Sequence, residues 1–111
     1  MARIDFIELP ASDLDASRAF YAAAFGWDMT AFGPTYACTM TGDVDLGLQA
    51  DTAEATTAPL PVIHVENLDA ALAAITTAGG SITKPTFAFP GGRRFHFQDP
   101  GGNELAAMQG D

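Results

Sequence analysis

The sequence predicts an α+β fold: two paired βαβββ modules whose curved mixed sheets form around a cleft. Three observations lead there. An alternating, β-type run followed by a stretch of helical periodicity occurs twice. Each helical stretch is closed by glycine and followed by three short extended runs parted by turn residues. A segment rich in Ala, Thr and Asp, residues 50–59, lies between the two occurrences and puts a boundary near residue 55. Residues 1–55 and 56–111 are therefore expected to be two modules of one domain, because about 50 residues alone bury too little apolar surface to stand independently.

The elements follow in order. Residues 4–10 alternate and read as a strand. Ser12 and Asp13 offer an N-cap for a helix over 14–25. Along it Ala16, Ala19, Phe20, Ala23 and Trp27 recur at helical spacing, and Gly26 supplies the stop. Extended runs are expected at 27–32, 36–40 and 44–49, with Gly33-Pro34 and Gly42-Asp43 as the breaks. In the second module residues 61–66 are rich in β-formers and Asn67 is the cap. Residues 68–78 carry Leu68, Ala71, Leu72 and Ile75 on one helical face, and Gly79-Gly80 ends the helix. Extended runs at 82–89, 93–98 and 104–108 complete the plan, broken by Pro90-Gly91-Gly92 and by residues 99–102.

Alternation then sorts the strand residues by face. Ile7 and Leu9 are expected against the first helix, leaving Phe6 and Glu8 toward the cleft. Ile63 and Val65 go to the second helix, with Val62, His64 and Glu66 opposite. Leu105 and Ala107 likewise meet that helix, with Glu104, Ala106 and Met108 opposite.

Composition excludes several classes. Hydrophobic residues form 48% of the chain, too many for a disordered protein. No apolar run approaches the roughly 20 residues of a membrane-spanning helix. The first residues lack the basic-then-apolar pattern of a secretory signal, and Cys38 is the only cysteine, so a cytoplasmic setting and a buried, inert thiol are expected. Fourteen acidic residues against five basic ones give a net charge of −9, which repels phosphate backbones and argues against nucleic acid as a partner.

Two stretches carry a specific resemblance. One runs over residues 6–27 and contains Pro10-Ala11-Ser12-Asp13-Leu14, Phe20-Tyr21 and Phe25-Gly26-Trp27. The other contains Val65-Glu66-Asn67-Leu68, Gly79-Gly80 and Asp99-Pro100-Gly101-Gly102-Asn103-Glu104-Leu105. In this order they resemble the vicinal-oxygen-chelate superfamily, which holds glyoxalase I, bleomycin-resistance proteins, fosfomycin-resistance enzymes and extradiol dioxygenases. The resemblance covers nearly the whole chain and implies the same paired βαβββ fold. Phe20, Phe25 and Trp27 are expected to dock the first helix on its sheet. Residues 99–102 are expected to form a tight turn, with Pro100 second and Gly101 at positive φ third.

Metal-dependent members of that superfamily place His, Glu or Gln ligands on the inward faces of the first and last strands of each half. Carried over by the motifs, the first-strand position falls on Phe6, the fifth-strand position on Leu60 and the last-strand position on Ala106. The fourth-strand position lies within residues 45–49. Phe6, Leu60 and Ala106 offer no donor atom, so the usual divalent metal is not expected and no cofactor is assigned. A displaced site from Glu8, His64 and Glu104 is the alternative.

Without a metal, Glu8 and His64 are the candidates for acid–base work. The ligand-lining candidates are Phe6, Tyr36, Leu60, Val62, Glu104, Ala106 and Met108, and Phe32, Phe87, Phe89, Phe95 and Phe97 add aromatic surface on the strands. Arg93-Arg94 is either an acid clamp or a solvated loop pair. Gly91-Gly92 and Gly101-Gly102 lack the ending of a phosphate loop, and no G-x-S-x-G nucleophile elbow occurs. The resemblance implies a small-molecule-binding protein of the bleomycin-resistance kind, working as a homodimer. The alternative is a metal-dependent lyase, isomerase or dioxygenase-type enzyme related to lactoylglutathione lyase.

Overall fold

The computed structural model describes residues 1–111. Its elements run β1 (Arg3–Pro10), α1 (Leu14–Phe25), β2 (Thr30–Ala31), β3 (Tyr36–Cys38), β4 (Asp45–Gln49), β5 (Leu60–His64), α2 (Leu68–Thr77), β6 (Ser81–Phe89), β7 (Gly92–Gln98) and β8 (Glu104–Gly110). This is βαβββ twice, an α+β plan. The chain forms two compact units. Phe6–Leu60 make the N-terminal module; Pro61–Asp111, with Met1–Asp5, make the C-terminal module.

In the N-terminal module the strand order is β2-β3-β4-β1. β1 and β4 are parallel, Phe6 opposite Asp45 and Glu8 opposite Gly47, while β3 runs antiparallel to β4. The Asp13 side chain caps α1 by accepting from the Ala16 N–H at 3.0 Å. Gly26 ends it at φ 72°, a left-handed conformation that glycine adopts without steric cost. Leu14, Met29, Ala37 and Leu48 form the core, with Leu9, Leu46 and Tyr21 packed on it.

Here the structure corrects the expected helix face. Leu14, Ser17, Arg18 and Tyr21 turn inward, whereas Ala16, Ala19 and Ala23 face solvent. Phe20, Phe25 and Trp27 are 60%, 61% and 41% exposed, so they do not anchor the helix. They gather around Tyr21 instead, whose ring stacks on Trp27 at 5.5 Å. The reason is that α1 is apolar nearly all round, so its spacing alone sets no unique buried phase.

In the C-terminal module the order is β5-β8-β7-β6. β5 and β8 are parallel, and β7 is antiparallel to both β8 and β6. Asn67 caps α2 by accepting from the Ala70 N–H. Leu68, Phe95, Phe97 and Ala107 form this core, supported by Ile63, Val65, Leu72, Ile75, Ile82 and Leu105. Burying Phe95 completely, as here, stabilises the module by about 2–3 kcal/mol. β6 ends the order, and its register shifts between Lys84 and Phe87, around Pro85, which has no N–H to give a ladder.

Boundaries differ from expectation in several strands: β3 ends at Cys38 rather than at residue 40, and β5 covers Leu60–His64 rather than 61–66. β2 is two residues long rather than 27–32, because Trp27 joins the ring cluster and Met29 enters the core. β8 continues to Gly110, where Gly92 is its partner. In the turn after β7 the positive φ belongs to Gly102, at 87°, and not to Gly101. The Asp99 carboxylate closes that turn by accepting from the Asn103 backbone and side-chain N–H groups. No helix is long and apolar enough to cross a membrane.

Candidate functional site

Each sheet packs one face on its helix, and the polar side chains of interest lie on the other. In the N-terminal module that face carries Phe6 and Glu8 from β1, Asp45, Gly47 and Gln49 from β4, and Tyr36 from β3. Glu8 is only 2% exposed, and the Tyr36 hydroxyl donates to its Oε1 at 3.1 Å. Gly47 makes this pairing fit: a Cβ there would lie 2.5 Å from Tyr36 Oη and 2.7 Å from Phe6 Cζ.

The remaining β4 positions are engaged elsewhere. Asp45 Oδ1 accepts from Thr39 Oγ1, Thr41 N and Thr41 Oγ1, and Oδ2 accepts from Gly42 N. Partial burial pushes the Asp45 carboxyl up, but these hydrogen bonds outweigh it and hold it below the ordinary carboxylate value. Gln49 Oε1 accepts from the Asp51 N–H. Cys38 is buried as expected, and burial, with the Asp45 charge, raises its thiol pKa.

In the C-terminal module the face away from α2 carries Val62 and His64 of β5, Glu104, Ala106 and Met108 of β8, Arg94 and His96 of β7, and Lys84, Phe87 and Phe89 of β6. His96 is its centre. Nδ1 lies 3.0 Å from Glu104 Oε2, while Nε2 is buried and has no hydrogen-bond partner. A carboxylate at Nδ1 draws the proton there and leaves the Nε2 lone pair free to accept. Burial pushes the imidazole below its ordinary value; the Glu104 hydrogen bond opposes this, and the charges of Arg94 and Lys84 add to it. The net result is a neutral ring at neutral pH. Phe87 sits 5.9 Å from the His96 ring, with Lys84 Nζ 4.5 Å and Arg94 Cζ 5.2 Å from the Phe87 centroid.

The predicted site residues thus fall into separate groups. Phe6, Glu8 and Tyr36 share one face of the N-terminal module. Leu60, Val62 and Ala106 are 0%, 4% and 0% exposed, closed to solvent. His64 Nδ1 is 3.0 Å from Asp5 Oδ2 and 39% exposed, and Arg3 Nη2 approaches the same oxygen at 3.6 Å. Glu104 serves His96. Of the aromatic residues, Phe95 and Phe97 belong to the helix-side core, and Phe32 is exposed.

Sequence reasoning missed His96 as a centre and left Arg93-Arg94 open between an acid clamp and a solvated loop pair. Both stand on β7, where Arg94 is half-buried and only Arg93 is exposed. Alternation from Phe95 and Phe97, both apolar, carried the signal: it puts Arg94 and His96 together on the opposite face.

These residues do not fit the metal centre the fold family implies. Phe6, Leu60 and Ala106 have no donor atoms; on the Phe6 face of β4, Gly47 has none, and Asp45 and Gln49 are engaged by the loops beside them. The displaced alternative fails within the C-terminal module. Ala106 pairs with Val62 and Met108 with His64, so His64 and Glu104 are separated by four residues along the strands, about 13 Å. No group of three or more His, Cys, Asp or Glu side chains is placed to hold one ion.

Two βαβββ modules, each with one helix-covered sheet face and one bearing buried polar groups, define a class of α+β proteins. A family model, the Glyoxalase/Bleomycin resistance protein/Dioxygenase superfamily, matches residues 3–107, and the chain belongs to that superfamily. Among solved structures, a Streptomyces coelicolor methylmalonyl-CoA epimerase is similar with a TM-score of 0.76 and 21% identity, covering 97% of this chain and 94% of that one. A superfamily member from Vibrio splendidus 12B01 has a TM-score of 0.72 and 17% identity over 100% of both chains. The Mn(II)-bound glyoxalase from Novosphingobium aromaticivorans has a TM-score of 0.70 and 20% identity, covering 98% of this chain and 40% of its own. At these identities the likeness is one of fold. A search of curated protein sequences finds no match.

Proposed function

We propose that this chain binds a small organic molecule on a sheet face turned away from its helix, without the divalent metal of its metal-dependent relatives. The observation that carries this reading is the pairing of absent donors with retained polar groups. Phe6, Leu60 and Ala106 offer nothing to an ion, while a buried His96 keeps one acceptor atom unpartnered. The N-terminal module has a polar pair of its own, Glu8 with Tyr36, on its sheet face away from α1. The role is similar to that of bleomycin-resistance proteins, which sequester a compound. We assign the chain to the cytoplasm and to a homodimer, and its acidity argues against nucleic acid.

Elemental analysis together with native mass spectrometry of freshly purified protein tests the reading. A metal-poor chain that retains a small organic adduct is the expected result. Stoichiometric Mn, Zn, Ni or Fe would replace it with the second reading, a metal-dependent lyase, isomerase or dioxygenase-type enzyme. A chain carrying neither metal nor adduct, and binding none of a panel of small organic acids, would remove the ligand-binding reading.

A further inference from the structure

The first helix presents an apolar face to solvent. Nine of the twelve residues of α1 are apolar, yet only Leu14 is buried. A helix apolar nearly all round is ordinarily enclosed on more than one side. Here the side away from the sheet carries Ala16, Ala19, Phe20, Ala23 and Ala24, all exposed, and the exposed ring of Trp27 borders them. The second helix makes the contrast, because its exposed residues include Asp69, Thr76 and Thr77 and no aromatic ring.

Phe20 stands among small residues: Ala16, Ala23 and Ala24 are its neighbours one turn away along the helix. The same face therefore offers a knob and the holes for one, which is what a patch needs to pair with itself about a two-fold axis. These five residues carry no charge. On a chain with fourteen acidic and five basic residues, such a face is where two copies meet without setting carboxylate against carboxylate. The exposed parts of Phe20 and Trp27 supply on the order of 200 Å². With the alanines and a polar rim, two copies together cover about 1,000 Å², the lower bound of a specific interface.

Resting on the homodimer reading above, we infer that two copies of this chain meet through the outer face of α1, with Phe20 of each lying over the alanines of the other. The contact is small and apolar, so the dimer forms in the micromolar range. Each copy carries a net charge of −9, so salt, which screens their repulsion, tightens the pair. An interface held by ion pairs would respond in the opposite direction.

Trp27 is the only tryptophan of the chain, so its emission reports on this face. Sedimentation velocity and Trp27 fluorescence are followed on the full chain from about 1 μM to about 1 mM, at low and at high NaCl. The mass should double as the emission moves to the blue, and the concentration of half-association should fall as salt rises. Phe20→Ala and Ala23→Glu should each raise that concentration about tenfold or more, with the helical circular dichroism unchanged. Ala73→Glu, on the exposed face of α2, should leave it where it is. A dimer that forms without the Trp27 shift, or that both α1 variants leave intact, overturns the inference but keeps the homodimer reading. A chain that stays monomeric throughout overturns both, and the face then belongs to a different protein partner.

Discussion

Nδ1 of His96 and Oε2 of Glu104 lie 3.0 Å apart, diagonally across the β7–β8 ladder, in a pair whose imidazole is 2% exposed and whose carboxylate is 37% exposed. The arrangement ties a buried ring to a carboxylate that water still reaches. Its pH consequence follows from burial, which holds the folded imidazole below its ordinary value despite Glu104. As pH falls through about 6.5, the unfolded chain takes up a proton on His96 before the folded chain does. Stability conferred by the neutral ring is thus fully present above that pH and declines below it, down to the folded value. Urea midpoints should fall between pH 7.5 and 5.5 in the native chain and fall less in His96→Gln. Equal declines would show that His96 does not carry the effect. Asp45 and Asp99, both held below the ordinary carboxylate value, act in the same sense in a lower range, their contributions lost only below about pH 4.

The exposed aromatic cluster on α1 gives a contrast in stability. Phe25 is 61% exposed and Leu68, the first residue of α2, is fully buried. Phe25→Ala should cost under about 1 kcal/mol, since a surface substitution removes little buried area. Leu68→Ala should cost about 2–5 kcal/mol through lost burial and a residual cavity. Thermal unfolding of the two variants checks the order, and a larger loss at Phe25 would mean that the ring cluster docks the helix after all.

How far the sequence could be read depended on whether a signal was local. The double βαβββ order was legible because caps and turns act within a few residues: Asp13, Asn67 and Gly26 each do in the structure what their chemistry predicts. Strand faces were legible where apolar and polar residues alternate, as in Ile63, Val65, Leu105 and Ala107 against α2. The buried phase of α1 was not, because alanines and phenylalanines surround the helix and Arg18 turns inward to donate to the Met29 carbonyl at 2.8 Å. The candidate site was legible in part. Phe6, Glu8 and Tyr36 do converge, but through Gly47, whose role is the absence of a side chain. His96 was overlooked because its partner Glu104 comes from the next strand, a contact that no spacing along one strand reveals.

Two glycines should respond differently to the same change. At Gly47 a methyl group would press on the Tyr36 hydroxyl and the edge of the Phe6 ring, side chains that can yield by rotating. At Gly92 it would collide with the backbone carbonyl of Gln109 on β8, which cannot yield without breaking the ladder. Gly47→Ala should therefore cost about 1–3 kcal/mol and disturb the Tyr36–Glu8 hydrogen bond. Gly92→Ala should cost more and loosen the β7–β8 end. Urea unfolding ranks them, and hydrogen exchange at Gly110 and Asp111 locates the second effect. A Gly92→Ala chain as stable as Gly47→Ala would contradict the close approach.

The loop between β3 and β4 is held by one carboxylate. Asp45 collects hydrogen bonds from Thr39, Thr41 and Gly42, and Thr39 Oγ1 in turn accepts from the Leu46 N–H at 3.0 Å. Asp45 also faces Phe6 across the β1–β4 ladder, so the loop fixes the start of the strand that presents Gly47 to Tyr36. Asp45→Ala removes acceptors for four donors, two of them backbone N–H groups near solvent that water can satisfy. The net loss should be about 1–3 kcal/mol. Asp45→Asn keeps one carbonyl oxygen and should lose less. Amide exchange should quicken at Thr41 and Gly42 in both variants, and at Gly47 and Leu48 only if the loop sets the strand. Protection unchanged at Gly47 in Asp45→Ala would confine the role of Asp45 to its own turn.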